Sequence, residues 1–322
     1  MRLYIESSHE SEWARGRWRD ISESWQQAGH VELVDRAAAA DAIVITLADC
    51  KAGYAETIAT IGTSGAYAEF PDKTFVFDTQ DSPLGLFPGL YCSLRRFLFS
   101  AARHRTGCYM QSFNEFVGPG EPDGRAGLRY LFSFQGNLTS KTRAALFDMK
   151  YGRDDVLIER TQPFWSDTGG HREFKRQYAD KIRASRYVLC PRGIGTSTFR
   201  LFETMQSGRV PVILSDAWVP TPWIDWNRCV LRVPERDIER LPEICLANEP
   251  HWQAMAHNAR AAWEKWFSPE GMGHLVRTAI EDIMRTRRLP ERAYRLQWPL
   301  RRASSGFRQA AARAISRLRR GG

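Results

Sequence analysis

Residues 190–216 read CPRGIGTSTFRLFETMQSGRVPVILSD. The run just before them, Tyr187-Val188-Leu189, has the composition of a buried strand. Gly193 and Gly195 then permit a tight turn and close approach by a ligand. Thr196, Ser197 and Thr198 are residue types that start helices. The first N–H groups of a helix have no partner within it, and the dipole is positive there, so such a loop suits a phosphate or diphosphate. Arg192, just ahead of the turn, is of the type that grips phosphate oxygens with two hydrogen bonds. Thr196, Arg200, Glu203 and Ser207 recur at helical spacing and share one face, while Leu201, Phe202 and Met205 point elsewhere. Glu203 is thereby placed to accept hydrogen bonds from a ribose. The same spacing also describes an Arg200–Glu203 ion pair on a solvated face. A second strand, VPVILSD, ends in Asp216, and strand, glycine turn, helix and acid are likewise the order of a dinucleotide fingerprint, although Thr198 stands where its third glycine would be.

Working outward, apolar runs alternate with helix-compatible stretches. RLYIE, HVELVD, DAIVITLAD and KTFVFDTQD read as strands in the first third, with a helix over ESEWARGRWRDISESWQQAG. VGPGEPDGRAG, residues 117–127, has the turn composition of a linker. The alternation then restarts with LRYLFSFQG, a helix over TSKTRAALFDMKYG capped by Thr139 or Ser140, DVLIER, the polar helix HREFKRQYADKIRAS and RYVLCP. After VPVILSD come CVLRVPE and two helical stretches that reach Met284. The pattern predicts two α/β domains with parallel sheets covered on both faces: residues 1–122 on the acceptor side, 123–284 on the nucleotide side, and a basic tail over 285–322.

The composition, 43% hydrophobic and 12% aromatic over 322 residues, is that of a globular protein. The net charge of +9 is unevenly spread. Residues 285–322 hold twelve of the 46 basic side chains and one of the 37 acidic ones, which leaves 34 basic and 36 acidic groups elsewhere. A near-neutral body without a basic-aromatic motif argues against nucleic acid as a partner. In the tail, Phe307, Ala311, Ala314, Ile315 and Leu318 share a helical face with arginines around it. This is either a cationic amphipathic helix for an anionic membrane surface or a solvated tail. No signal-peptide core and no run of about 18 apolar residues is visible, so a soluble, cytoplasmic chain, peripheral at the inner membrane face, is expected. Six scattered cysteines without a C-x-x-C pair are expected as buried thiols, not zinc ligands.

RYVLCPRGIGTSTFRLFETMQSGRVPVILSDAWVPTPWIDW, residues 186–226, resembles the signature of the exostosin-type glycosyltransferases, family GT47. YLFSFQGNLTSKTRAAL upstream and ARAAWEKWF downstream resemble further family segments, and FDTQDSPLGLFPGLYCSLRRFLF is a fainter match. The similarity covers about Arg129 to Met284. Thr204 stands where the family usually has alanine, and the membrane anchor of eukaryotic members is not seen, which suggests a bacterial-type enzyme of surface polysaccharide synthesis. The resemblance implies a GT-B fold, two Rossmann-like domains facing a cleft. It also implies inverting transfer from a nucleotide sugar, usually UDP-linked, to a glycan or lipid-linked glycan acceptor, without an essential metal or other cofactor. The lack of a D-x-D triplet agrees with that last point. By matching position, Arg192, Gly193, Ser197 and Arg200 would shape the diphosphate site. Glu203 would hold the ribose, Gly136 would admit the donor and Arg143 would face the phosphates, while Trp223 and Trp226 would pack structurally. With Gly195, Thr196 and Thr198 these residues form the expected nucleotide-sugar site.

Inverting transfer needs a base for the acceptor hydroxyl, expected from the first domain at the carboxyl ends of its strands. His9, Glu10, Asp49, Asp78 and Asp81 qualify by position, and Asp78 and His9 are the choice from sequence. An NAD-dependent oxidoreductase, resting on G-x-G and Asp216, and a non-catalytic nucleotide-sugar-binding protein are the alternatives.

Overall fold

A computed structural model of the chain describes residues 1–7, 12–47, 61–62, 64–109, 114–118, 127–161, 171–296 and 298–299. The first six strands, β1 (Arg2–Ser7), β2 (Glu32–Leu33), β3 (Ala42–Leu47), β4 (Thr74–Asp78), β5 (Gly89–Tyr91) and β6 (His104–Thr106), form one parallel sheet in the order β2-β1-β3-β4-β5-β6. The other five, β7 (Tyr130–Gly136), β8 (Val156–Arg160), β9 (Ser185–Pro191), β10 (Val210–Leu214) and β11 (Leu231–Arg232), form a second parallel sheet in the order β11-β10-β9-β7-β8. Among the described residues the helices are α1 (Glu12–Gln27), α2 (Gly65–Glu69), α3 (Lys141–Asp148), α4 (His171–Arg183), α5 (Phe199–Gln206), α6 (Leu241–Ala247), α7 (Trp252–Trp266), α8 (Gly271–Thr286) and α9 (Glu291–Arg295).

Strand β3 shows why an unbroken apolar run makes a central strand. Its side chains alternate between faces, and both faces are buried. Ala42 and Val44 join one core cluster, while Ile43, Ile45 and Leu47 join another. The first of these clusters continues through α8, α7 and α5 to Cys190 and Ile213 in the second sheet, so the two Rossmann-like halves share one apolar core. Two parallel α/β sheets joined in this way, with a cleft between them, are the expected GT-B arrangement. Cys92, Cys108, Cys190, Cys229 and Cys245 are buried thiols, as expected, and Cys50 lies outside the described residues. Trp226 is buried with Nε1 donating to Thr221 O at 3.0 Å, and Trp223 stacks on Trp266, so both tryptophans pack structurally.

The expected boundary after residue 284 does not separate a domain from a tail. Helix α8 packs on α1, β5 and β6 of the first sheet. Beyond it, α9 and Trp298 continue over that sheet: Trp298 meets Phe87 edge-on, and Arg295 lies over Tyr67. The contact is pinned by Glu291, which takes two hydrogen bonds from Arg103 Nη2 at 2.5 and 2.7 Å, both side chains being fully buried. Residues 300–322, including the amphipathic face noted above, lie outside the described residues.

Removing one partner of a buried ion pair strands the other charge and costs about 3–5 kcal/mol. Glu291→Ala is therefore expected to lower the unfolding free energy by about that amount. The paired replacement Arg103→Met with Glu291→Leu is expected to cost less than Glu291→Ala alone. Urea unfolding of the three proteins checks this.

Candidate functional site

In the second sheet the chain runs from β7 to β8 in one direction and on to β9 in the other, so the strand order reverses between β7 and β9. Ligands of open α/β sheets bind outside the strand ends at such a point. The ends here are Gly136 on β7 and Pro191 on β9. Ser140 caps α3 by accepting from Arg143 N at 3.2 Å, and its hydroxyl donates to Arg192 O at 2.8 Å, which joins the two loops. Above them opens a cavity of about 340 Å³. Gly136, Arg143, Gly193, Ser197, Thr198, Arg200 and Glu203 line it, together with Asp81 and Tyr109 from the first-sheet side.

The electrostatics of this cavity are unusual. Arg200 is 7% exposed, sits over the Phe134 ring at 4.7 Å, and donates to Gln135 O. Arg143 donates to Asn137 O at 3.1 Å. Neither forms an ion pair with a carboxylate among the described residues. Burial, reinforced by repulsion from Arg200, lowers the Arg143 pKa to about 10. Arg143 Nε and Arg200 Nη1 are buried without hydrogen-bond partners. So is the hydroxyl of Ser197. Glu203 does not pair with Arg200 on a solvated face. Its Oε2 instead accepts from the Tyr178 hydroxyl at 2.6 Å, and burial raises its pKa against the opposing effects of Tyr178 and Arg200.

Other expected site residues have different duties. Arg192 turns away from the cavity to Glu235, with Nε 3.1 Å from Oε1, so it fastens the loop and does not face phosphate. Gly193 lies against α3: a Cβ there would stand 3.3 Å from Arg143 Nη2 and Thr139 Oγ1. Gly195 is outside the lining and faces the first domain. Thr196 is buried, and its carbonyl accepts from Ser215 Oγ. Thr198 occupies the N-cap of α5 without a side-chain capping bond. Asp216 does not line the cavity and exchanges hydrogen bonds with Glu235, which leaves the dinucleotide reading without its ribose acid.

Asp78 requires a correction. It ends β4 with its side chain fully buried, Oδ1 accepting from Gln80 N at 2.8 Å and Oδ2 unpartnered. It is fully buried and is not part of the cavity lining. Three residues later, Asp81 is exposed to the cleft. His9, Glu10 and Asp49 lie outside the described residues. The sequence reading missed Phe174, Tyr178, Tyr109 and Asn114. A signal for the first two was present: aromatic residues four apart on the otherwise polar α4.

No group of three or more His, Cys, Asp or Glu side chains able to hold a metal ion occurs among the described residues. No described helix is long and apolar enough to cross a membrane.

Residues 109–247 match the family model described as the Exostosin GT47 domain. Every residue lining the cavity falls within that match except Asp81. Exostosin-1 of Drosophila melanogaster is 31% identical over 185 residues, which are 52% of this chain and 24% of the fly protein. The Exostosin-1 homolog of Caenorhabditis elegans is 32% identical over 135 residues, 37% of this chain and 35% of that protein. The chain thus matches about a quarter to a third of the length of these relatives. Among solved structures, the DNA modifying enzyme beta-glucosyltransferase covers 87% of this chain at 11% identity and a TM-score of 0.46. The matched region supplies the arginine pair, Ser197 and Glu203, whereas Asp81, facing them, comes from the first sheet's side of the cleft.

Burial raises the Asp78 pKa to about 7. Its unfolded value is about 4. The folded state therefore binds the extra proton between these values, and the contribution of Asp78 to stability falls as pH rises from about 4 to about 7. Asp78→Asn is expected to gain stability relative to wild type across that window, by up to about 1.4 kcal/mol per pH unit, and to retain any transferase activity within about threefold. Denaturation at pH 5 and pH 8 checks the sign.

Proposed function

We propose that the chain is an inverting glycosyltransferase. It moves a sugar from a nucleoside-diphosphate donor, UDP-linked, to a glycan or lipid-linked glycan acceptor of a cell-surface polysaccharide. One observation carries the reading: Arg143, half-buried, and Arg200, buried, lie side by side at the strand-order reversal and form no ion pair with a carboxylate among the described residues. Two neighbouring, largely desolvated cations that form no ion pair suit a dianionic ligand. The exostosin GT47 domain supports the same reading.

In the proposed step the acceptor oxygen attacks the anomeric carbon as the bond to the diphosphate breaks, and a single displacement inverts the configuration. Charge gathers on the leaving phosphate oxygens. Arg143, Arg200, the Ser197 hydroxyl and the opening N–H groups of α5 are positioned to stabilise it. These groups take the place of a metal ion in the proposal, so transfer is expected to persist in EDTA. Glu203, oriented by Tyr178, receives the ribose hydroxyls. The basic segment beyond residue 299 is proposed to bring the enzyme to an anionic membrane surface at the cytoplasmic face.

UDP is expected to raise the melting temperature and NAD to leave it unchanged. Charge-assisted hydrogen bonds contribute about 1.5–3 kcal/mol each, so Arg143→Ala is expected to weaken UDP binding by about 10–100-fold in calorimetry. Equal binding of UDP by this variant and wild type would remove the reading's main support.

A further inference from the structure

The cleft wall contributed by the first sheet carries a hydrogen-bonded chain that ends on Asp81. Tyr109 Oη donates to Asp81 Oδ1 at 3.2 Å, and Ser93 Oγ lies 2.8 Å from the same hydroxyl. An ionised carboxylate only accepts, so the tyrosine proton points to Asp81 and the serine proton points to Tyr109. Ser93 Oγ is then left as an acceptor, and it receives the N–H of Ser197 at 3.4 Å. Every donor in the series Ser197, Ser93, Tyr109 is thus directed toward one carboxylate. The series begins on the loop that opens α5 and ends across the cleft. Asp81 Oδ2 has no hydrogen bond among the described residues, and Asp81 lines the cavity together with Arg143 and Arg200.

Two further contacts tie this chain to the donor side. The Tyr109 ring packs against Phe199, the first residue of α5, with ring centres 4.2 Å apart. Gly195 sits directly on the polar chain. A Cβ built there would lie 2.5 Å from Ser93 Oγ and 2.8 Å from Asp81 Oδ1, distances that force a shift. The second glycine of the G-x-G turn is therefore packed against the polar chain of the first domain.

We propose that Asp81 is the base that removes the acceptor's proton, that Tyr109 and Ser93 are positioning residues which hold its carboxylate, and that Gly195 is glycine to leave that carboxylate room. The proposal rests on the glycosyltransferase reading above. In the step, the acceptor O–H proton passes to Asp81 Oδ2 while its oxygen bonds to the anomeric carbon. The electron pair of the broken carbon–oxygen bond stays on the departing diphosphate. Partial burial raises the Asp81 pKa, while the Tyr109 hydrogen bond and the Arg143 charge oppose the rise. Burial also holds the Tyr109 pKa well above its ordinary value, so Tyr109 remains a donor.

The test uses the full chain and follows release of UDP from UDP-glucose, UDP-N-acetylglucosamine and UDP-glucuronate, with water standing for the acceptor hydroxyl. UDP affinity is measured alongside by calorimetry, which also reports folding. General base catalysis contributes about 10²–10⁴-fold. Asp81→Asn is expected to lose at least about 100-fold in kcat with UDP affinity within about twofold of wild type. A variant keeping more than a tenth of the wild-type rate overturns the base. Tyr109→Phe removes the hydrogen bond that favours the ionised acid, so the acid limb of its kcat/KM profile is expected to move to higher pH, with kcat lowered about three- to tenfold. An unmoved limb overturns the positioning role. Gly195→Ala is expected to slow turnover at saturating donor without weakening UDP binding, and the reverse pattern assigns the glycine to the phosphate and overturns that part. A wild-type protein that neither binds UDP nor releases it from any of the three donors brings down the glycosyltransferase reading itself, an outcome distinct from a base variant that stays active.

Discussion

Two neighbouring, largely desolvated guanidinium groups that form no ion pair among the described residues are the constraint around which this structure is arranged. Arg143 and Arg200 repel each other, and burial removes the water that would screen them. The fold tolerates them through neutral partners: the carbonyls of Gln135 and Asn137, and the face of Phe134. Each partner solvates a cation without cancelling its charge. Arg192 shows the contrast, because it meets Glu235 and becomes a fastening for the loop. The difference between Arg192 and the cavity arginines is whether the guanidinium forms an ion pair.

Such a site is costly to keep, and the rest of the molecule offsets it with apolar burial. The core that begins under the first sheet with Leu3, Trp18 and Trp25 runs unbroken through Leu275, Val276 and Ile280 of α8 to Leu201 and Met205 of α5. The helix that carries Arg200 and Glu203 is thus anchored in a core that also supports the opposite domain. The chain returns over the first sheet after α8 and is clamped by the buried Arg103–Glu291 pair. Relative placement of the cleft walls depends on this return, and so does the distance from Asp81 to the arginine pair.

Much of the architecture was legible before any coordinates. Strands such as AIVITL and VPVIL are continuous apolar runs, which is what burial on both faces requires, and of the two capping candidates Thr139 and Ser140, Ser140 takes the N-cap. Strands β5 and β6 did not stand out. Gly89–Tyr91 and His104–Thr106 are three residues each, and Gly, His and Arg carry no strand signature; they pair because their neighbours leave an open sheet edge to fill. Of the two acids that follow TFVF, the sequence reading preferred Asp78, whereas Asp81 is the one that lines the cavity. Asp78 ends its strand and so satisfies a rule about strand ends, yet the chain must still emerge from the sheet before a side chain meets solvent, which happens at Asp81.

The sequence by itself determined the alternation of strand and helix, the glycine turn, and the candidacy of Arg200 and Glu203, because periodicity and turn chemistry act over a few residues. Tertiary structure alone decided which arginines stay out of ion pairs, which carboxylate opens on the cleft, and what packs against Gly195. Those outcomes depend on groups far apart in the chain, such as Arg192 with Glu235 and Ser93 with Ser197, and on how much water the surrounding fold excludes.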